Sequence, residues 1–343
     1  MKKPPFTKKQ AVYRALRERI FAMRPGEHLG RTIHQLAADF GVSHQTVSAA
    51  VRMLKREGLL IARRKVGLVV HPQRPEPEPR PAPLLFLTTH VEPSGPFEKE
   101  MLEGVKRAAR RHGLYLLVKD LGGLEEARSL AEEGMLLEAV VSFYTPEPEL
   151  ERAAEMLAAC GVRVCALDQA VEGFDSVLLD NRSIGRMAAR YMFSRGGVRR
   201  ALIMRRYNYA QAEAEREEGI AEVLEELSVP HTRLFWMSVI SGDELVRRQI
   251  GSFLAAGYRF DLVFGHTPGA AEEVRRFMLE ATGSEPFAVA VGTEAELGEH
   301  RVAGIAVSPA EMGEKAVELL AERRREPFRP PQTLRLAGRV FLP

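Results

Sequence analysis

The sequence is poor in several things, and each shortage narrows the reading. Only two of its 343 residues are cysteine, Cys160 and Cys165. That is too few for the disulfide framework of a secreted scaffold and suits a reducing cytoplasm. No apolar run approaches the roughly 18 residues of a membrane span, and no apolar stretch follows the basic N-terminus as in a signal peptide. The nine histidines are dispersed, without metal-ligand spacing. No G-x-x-x-x-G-K-[ST], G-x-S-x-G, H-E-x-x-H or C-x-x-C occurs, and no carboxylate pair stands out for acid–base work. No catalytic residue, metal or cofactor is therefore predicted. What remains, at 45 % hydrophobic and 28 % charged residues, has the composition of a soluble globular protein.

Charge is abundant but unevenly placed. Residues 1–71 carry 15 Lys and Arg against 4 Asp and Glu, a net +11. Residues 84–343 carry 32 against 40, a net −8. A small basic head on a larger acidic body implies that the head meets a polyanion. Between them, residues 72–83 hold prolines at 72, 75, 77, 79, 81 and 83. Proline fixes φ and removes a donor, so this stretch is predicted as an extended, semi-rigid linker.

In the head, Val12, Leu16, Ile20 and Met23 form one helical stripe, stopped by Pro25-Gly26. Ile33, Leu36, Ala37 and Phe40 form a second, closed by Gly41. Ser43 fits the N-cap of a third helix, on which Val47, Ala50, Val51 and Leu54 face inward. Two short apolar runs, Leu59–Ala62 and Val66–Val70, flank Arg63-Arg64-Lys65 and predict a hairpin with a basic tip. The outward face of the third helix carries His44, Gln45, Thr46, Ser48, Arg52 and Lys55. A helix of this width fits the major groove of double-stranded DNA, where Ser43, His44, Gln45, Thr46 and Ser48 near its start reach base edges or phosphates. Arg52, Lys55 and the tip residues Arg63, Arg64 and Lys65 suit phosphate contacts.

The body alternates short Val/Ile/Leu-rich runs with amphipathic stretches, which predicts a parallel α/β architecture. Eight or nine strands are expected, in one large sheet or two smaller ones. Candidate ligand residues lie just past the strands, where open α/β sheets bind. They are His90, Phe97 on the following helix, Tyr144 and Asp168, then Arg205, Arg206, Tyr207 and Tyr209, and later His266, Thr267, Thr293 and Glu294.

The stretch FGVSHQTVSAAVRMLKREGLL (Phe40–Leu60), with the hairpin after it, resembles the winged helix-turn-helix of the GntR family. The family's arginines after the turn serine and four residues later are replaced by His44 and Ser48, so its base preference does not carry over. The stretches SVLLDNRSIG (Ser176–Gly185) and SPAEMGEKAV (Ser308–Val317) resemble the LacI/GalR effector domain. The resemblance implies an α+β winged helix-turn-helix domain (1–71) joined to an α/β, two-lobed, periplasmic-binding-protein type I-like domain (84–343), as in the arabinose repressor group. It further implies a sugar-like effector held between the lobes, a homodimer on operator DNA, and a regulator, more specifically a repressor, in the cytoplasm. In the R-x-x-G pattern Arg216-Glu217-Glu218-Gly219, the resemblance makes Arg216 the clamp for sugar hydroxyls. Where the family has Asp, this chain has His266. That difference leaves open an acidic or phosphorylated ligand, or a protein partner; an enzyme with a DNA-binding head is a further alternative.

Overall fold

Two hydroxyl side chains start the helices of the head. Thr32 caps α2 (Ile33–Asp39) in a reciprocal capping box with Gln35, and Ser43 caps α3 (His44–Arg56) by accepting from the Thr46 N–H. Between them Gly41 takes φ +59°, a left-handed conformation that favours glycine. The computed structural model describes residues 8–343 apart from 64–65, 74–81, 94, 144–147, 195–196, 207–209, 231–233 and 240–242; at 10, 14, 206, 210, 239, 243 and 244 it describes the backbone alone. Helix α1 (Lys8–Ala22) packs Val12, Leu16 and Ile20 against Val47, Ala50 and Leu54 of α3. Strands β1 (Leu60–Arg63) and β2 (Gly67–Val70) form the antiparallel wing, with Leu60 opposite Val70. The wing-tip residues Arg64 and Lys65, and most of the proline-rich linker, lie outside the described residues.

The body folds as two lobes. The first begins with β3 (Ala82–Leu87), α4 (Pro96–Arg111), β4 (Leu114–Lys119), α5 (Leu124–Glu132), β5 (Glu138–Ser142), α6 (Pro148–Ala159), β6 (Arg163–Leu167) and β7 (Asp175–Leu179). The chain then crosses into α7 (Asn181–Ser194), β8 (Ala201–Arg206), α8 (Ala210–Glu226), β9 (Leu234–Val239), α9 (Asp243–Ala255), β10 (Leu262–Gly265), α10 (Pro268–Thr282), β11 (Phe287–Gly292), α11 (Glu294–Glu299) and β12 (Ala303–Ala306). It returns with α12 (Pro309–Arg325), which packs on α4, and with β13 (Thr333–Leu336), then crosses a third time into β14 (Arg339–Phe341). The sheet orders are β13-β7-β6-β5-β3-β4 and β14-β12-β11-β10-β8-β9, every pairing parallel except β12 with β14. Strands buried on both faces, such as β5 and β7, read as continuous apolar runs for this reason.

Among the described residues the body thus has twelve strands in two sheets, against the eight or nine predicted. The short β13 and β14 alternate or expose their side chains and pair only with strands far away in sequence. Their local signal is therefore weak. Glycines set the closest helix contacts. A Cβ at Gly104 would meet the Ala310 carbonyl oxygen at 2.0 Å, and one at Gly313 the Met101 oxygen at 2.3 Å, so α4 and α12 touch backbone to backbone. No described helix is long and apolar enough to cross a membrane.

Candidate functional site

A buried polar cluster stands where the chain first crosses between lobes. Asn181 opens α7 and is 5 % exposed. Gly185 and Gly219 let α7 and α8 meet without side chains between them; a Cβ at 219 would lie 2.1 Å from the Arg182 carbonyl oxygen. That contact seats Arg216 of α8 over Asn181. Arg216 Nε donates to Asn181 Oδ1 at 2.8 Å and Nη1 to Glu213 Oε1 at 3.4 Å. Asp168, at the end of β6, faces the same guanidinium: burial pushes its carboxyl up to about 7, and the Arg216 charge offsets only part of that rise. Asp168 also holds φ +65°, a left-handed conformation that Asp tolerates better than most residues. A carboxyl so perturbed beside a charged partner is a candidate functional group.

A second group continues along α8. Glu213, Arg216 and Glu217 share a helix face at i, i+3 and i+4. Arg205 at the end of β8 donates to Glu217 Oε1 at 3.0 Å and to Ser238 Oγ at 3.0 Å. Two bonds then bridge the lobes. Arg335 of β13 donates to Glu215 of α8 at 2.9 Å. Glu100 of α4 is hydrogen-bonded to Thr293 while burial raises its carboxyl pKa.

The other sequence-derived candidates fall into distinct places. His90 is exposed after β3 and borders a small hollow with Thr88, Glu98 and Ser142. Ser142 is buried at the end of β5, and its Oγ has no hydrogen-bond partner among the described residues. Phe97 packs half-buried against the core. His266 is half-buried after β10, and Thr267 caps α10. Thr293, 1 % exposed, caps α11 in a box with Glu296, and Glu294 is ion-paired with Arg339. These last two side chains are thus engaged in holding α11 and β14. Tyr144, Tyr207 and Tyr209 lie outside the described residues, and the Arg206 side chain is not described. The sequence reading passed over Asn181, Glu213 and Ser142. Asn181 sits in the Asp180-Asn181 motif, Glu213 is three residues before Arg216, and Ser142 ends an apolar run; only the first two spacings carried a signal.

On the head, Ser43, His44, Gln45, Arg52, Lys55 and Arg63 are exposed, and Thr46 and Ser48 half-exposed. Ser43 Oγ and Thr46 Oγ1 are 2.8 Å apart, so both hydroxyls serve the helix cap. The His34 and His44 rings lie 4.5 Å apart. Nothing described covers this polar face of α3, and a helix so presented can enter a major groove.

Comparison with known proteins agrees with this division. Residues 8–70 match the gntR family of bacterial regulatory proteins. No curated protein matches the chain by sequence at a significant level. Among solved structures, the body is similar to a LacI family transcriptional regulator from Enterococcus faecium with bound ribose (TM-score 0.62, 18 % identity, 75 % of this chain, 96 % of that one). The regulator CelR in complex with cellobiose matches over 91 % of this chain and 98 % of its own, at 17 % identity and TM-score 0.62. The Cra dual regulator from Pseudomonas putida, bound to fructose 1-phosphate, matches over 77 % and 99 %, at 17 % identity and TM-score 0.61. Residues 8–70 are accordingly a gntR-type winged helix-turn-helix head, and the rest of the chain has the two-lobed fold of LacI-type regulators.

Proposed function

We propose that this chain is a ligand-responsive transcription regulator, acting as a repressor and a homodimer in the cytoplasm. Its winged head binds double-stranded operator DNA, and its interlobe cleft takes a sugar or sugar derivative. The observation that carries the sensor reading is the quartet of Asp168, Asn181, Glu213 and Arg216 at the lobe crossing. A guanidinium held rigidly by two partners keeps donors pointing in fixed directions, which suits hydroxyl recognition. Asp168, within electrostatic reach of that guanidinium, offers an acceptor. The described cations near the quartet are already matched with carboxylates, Arg216 with Glu213 and Arg205 with Glu217. This balance supports a neutral, hydroxyl-rich ligand over a phosphorylated one.

Coupling to DNA follows from the fold. A ligand touching both lobes favours the closed arrangement over the open one in proportion to its differential affinity. The Arg335–Glu215 and Glu100–Thr293 contacts are those that a change of lobe angle would alter. In a two-fold dimer, that change resets the spacing of two heads that must match two half-sites. The test is a thermal-shift panel of pentoses, hexoses, uronic acids, sugar phosphates and nucleosides. A saturating ligand at about 100 times its Kd raises stability by about 2.7 kcal/mol. A neutral sugar that shifts the parent and not Arg216→Ala supports the reading. A panel without any shift, or a shift indifferent to Arg216, counts against it.

A further inference from the structure

The head meets the first lobe through a face of α1 that its own core leaves open. Val12, Leu16 and Ile20 belong to that core. Lys8, Ala11, Ala15 and Glu18 recur at i, i+3, i+7 and i+10 on a neighbouring face and border the lobe instead. Opposite them stand the starts of β6 and β7, the last turn of α12 and Phe328 just beyond it. Phe40, which ends α2, meets Phe328 edge-on at 5.5 Å between ring centroids. A space of about 320 Å³ stays open among these groups, so the contact is partial, as between domains that part reversibly.

The two sides are complementary in charge. On the lobe, Glu138 is 2 % exposed and accepts from Arg163 at 3.1 Å and from Arg324 at 2.6 Å. Glu18 of the head supplies the second carboxylate for these two guanidiniums. It accepts from Arg163 at 3.1 Å, and its charge also favours the charged form of Arg324. Burial raises the Glu18 carboxyl more than the charges of Arg163 and Arg324 lower it, so the pairing adds little net adhesion. It selects instead, because a cation in that place would face two guanidiniums. Apolar contact such as Phe40 on Phe328 supplies the adhesion. The seated head keeps its reading helix uncovered: His44, Gln45, Arg52 and Lys55 are exposed, and none of them borders the junction.

We propose that the first lobe carries a docking surface for the chain's own winged head, and that the seated head is the one that binds DNA. Docking then fixes the direction in which α3 meets the duplex, whereas a head held by a linker alone samples many. The second half rests on the DNA-binding reading of the head, and neither half rests on what the interlobe cleft binds.

Small-angle scattering and hydrogen exchange on the full chain test it. Glu18→Arg should release the head. The largest dimension should then grow by more than about 10 Å, a reach that a proline-rich linker allows at about 3.1 Å per residue. Backbone amides of residues 326–331 should exchange about tenfold or more faster than in the parent. Should Glu18→Arg fail to fold, Phe328→Ala, on the lobe and 42 % exposed, removes the ring contact and should lengthen the particle in the same way. With a random-sequence duplex at saturation, the parent should keep residues 326–331 as protected as without DNA. The proposal is overturned if both variants scatter as the parent does, or if the duplex itself exposes residues 326–331, which would make the seated head the silent state. A parent that binds no duplex overturns the second half together with the DNA-binding reading, and scattering alone then decides the docking.

Discussion

The backbone of α8 at Arg216 lies directly against Gly185 of α7: a Cβ at 185 would stand 2.2 Å from the Arg216 carbonyl oxygen. No side chain can occupy that gap unless one helix moves. Gly185→Ala should therefore cost about 1–3 kcal/mol and displace Arg216 from Asn181. Urea denaturation measures the first effect and a sugar-induced thermal shift the second. A variant as stable and as responsive as the parent would show that the crossing is not what positions Arg216.

Arg216→Lys tests the geometry of the guanidinium separately from its charge. A lysine keeps the charge but cannot reach Asn181 and Glu213 with a fixed fork. Sugar affinity should drop by about 1.5–3 kcal/mol, the worth of a charge-assisted hydrogen bond, and the ligand-free protein should lose about 1–3 kcal/mol because the buried Asn181 Oδ1 loses its donor. Affinity retained in the lysine variant would mean that charge alone suffices.

On the proposed sensor reading, Asp168 should make both stability and ligand response depend on pH. Its carboxyl is raised to about 7, above its value near 4 in the unfolded chain. Between these values the folded chain holds a proton that the unfolded chain has lost, so this group's contribution to stability declines as pH rises through the window. Asp168→Asn removes that decline. Denaturation from about pH 4 to about pH 8 should show the variant gaining on the parent until about pH 7 and no further. Sugar hydroxyls that donate to the ionised carboxylate bind more tightly as pH rises, and the asparagine variant should lose that dependence. Parallel pH profiles for parent and variant would contradict both statements.

The head separates affinity from specificity. On the proposed DNA interface Arg52 meets a phosphate, so Arg52→Ala should weaken DNA binding to a similar degree on every sequence. The slope of log affinity against log salt should fall by about one. Gln45→Ala should instead cost about 1–3 kcal/mol on the preferred operator and relax the choice at one base pair. Gel-shift titrations over a salt series, with a randomised half-site, distinguish the two. An unchanged salt slope for Arg52→Ala would place that residue away from the backbone.

Asp175 holds the segment between α12 and β13 on the first lobe. Burial pushes its carboxyl up, but hydrogen bonds from Arg323 and from the Gln332 N–H, together with the charges of Arg323 and Arg329, outweigh burial and hold it below the usual range. Asp175→Ala leaves two buried guanidiniums facing each other and should cost about 3–5 kcal/mol, read as a fall in denaturation midpoint. A loss under about 1 kcal/mol would mean that water replaces the carboxylate.

The division into a basic head and an acidic α/β body was legible in the chain alone. Charge segregation, the Gly41 turn with the Ser43 cap, and the β–α alternation are local signals carried within windows of a few to a dozen residues. Arg216 and Asp168 could also be singled out, one by its R-x-x-G spacing and the other by its position after a strand. Only the tertiary structure decided that they face each other, because 48 residues of sequence separate them and nothing local encodes their approach. The same holds for β13 and β14, which exist as strands only because β7 and β12 offer them open edges. Thr293 was picked out by its place after a strand; that it also caps α11 and bonds across to Glu100 was decided by tertiary packing. The head–lobe junction was invisible in the sequence: Glu18 and Arg163 stand 145 residues apart. Periodicity reports which face of an element is apolar; which other element covers that face is fixed by long-range packing alone.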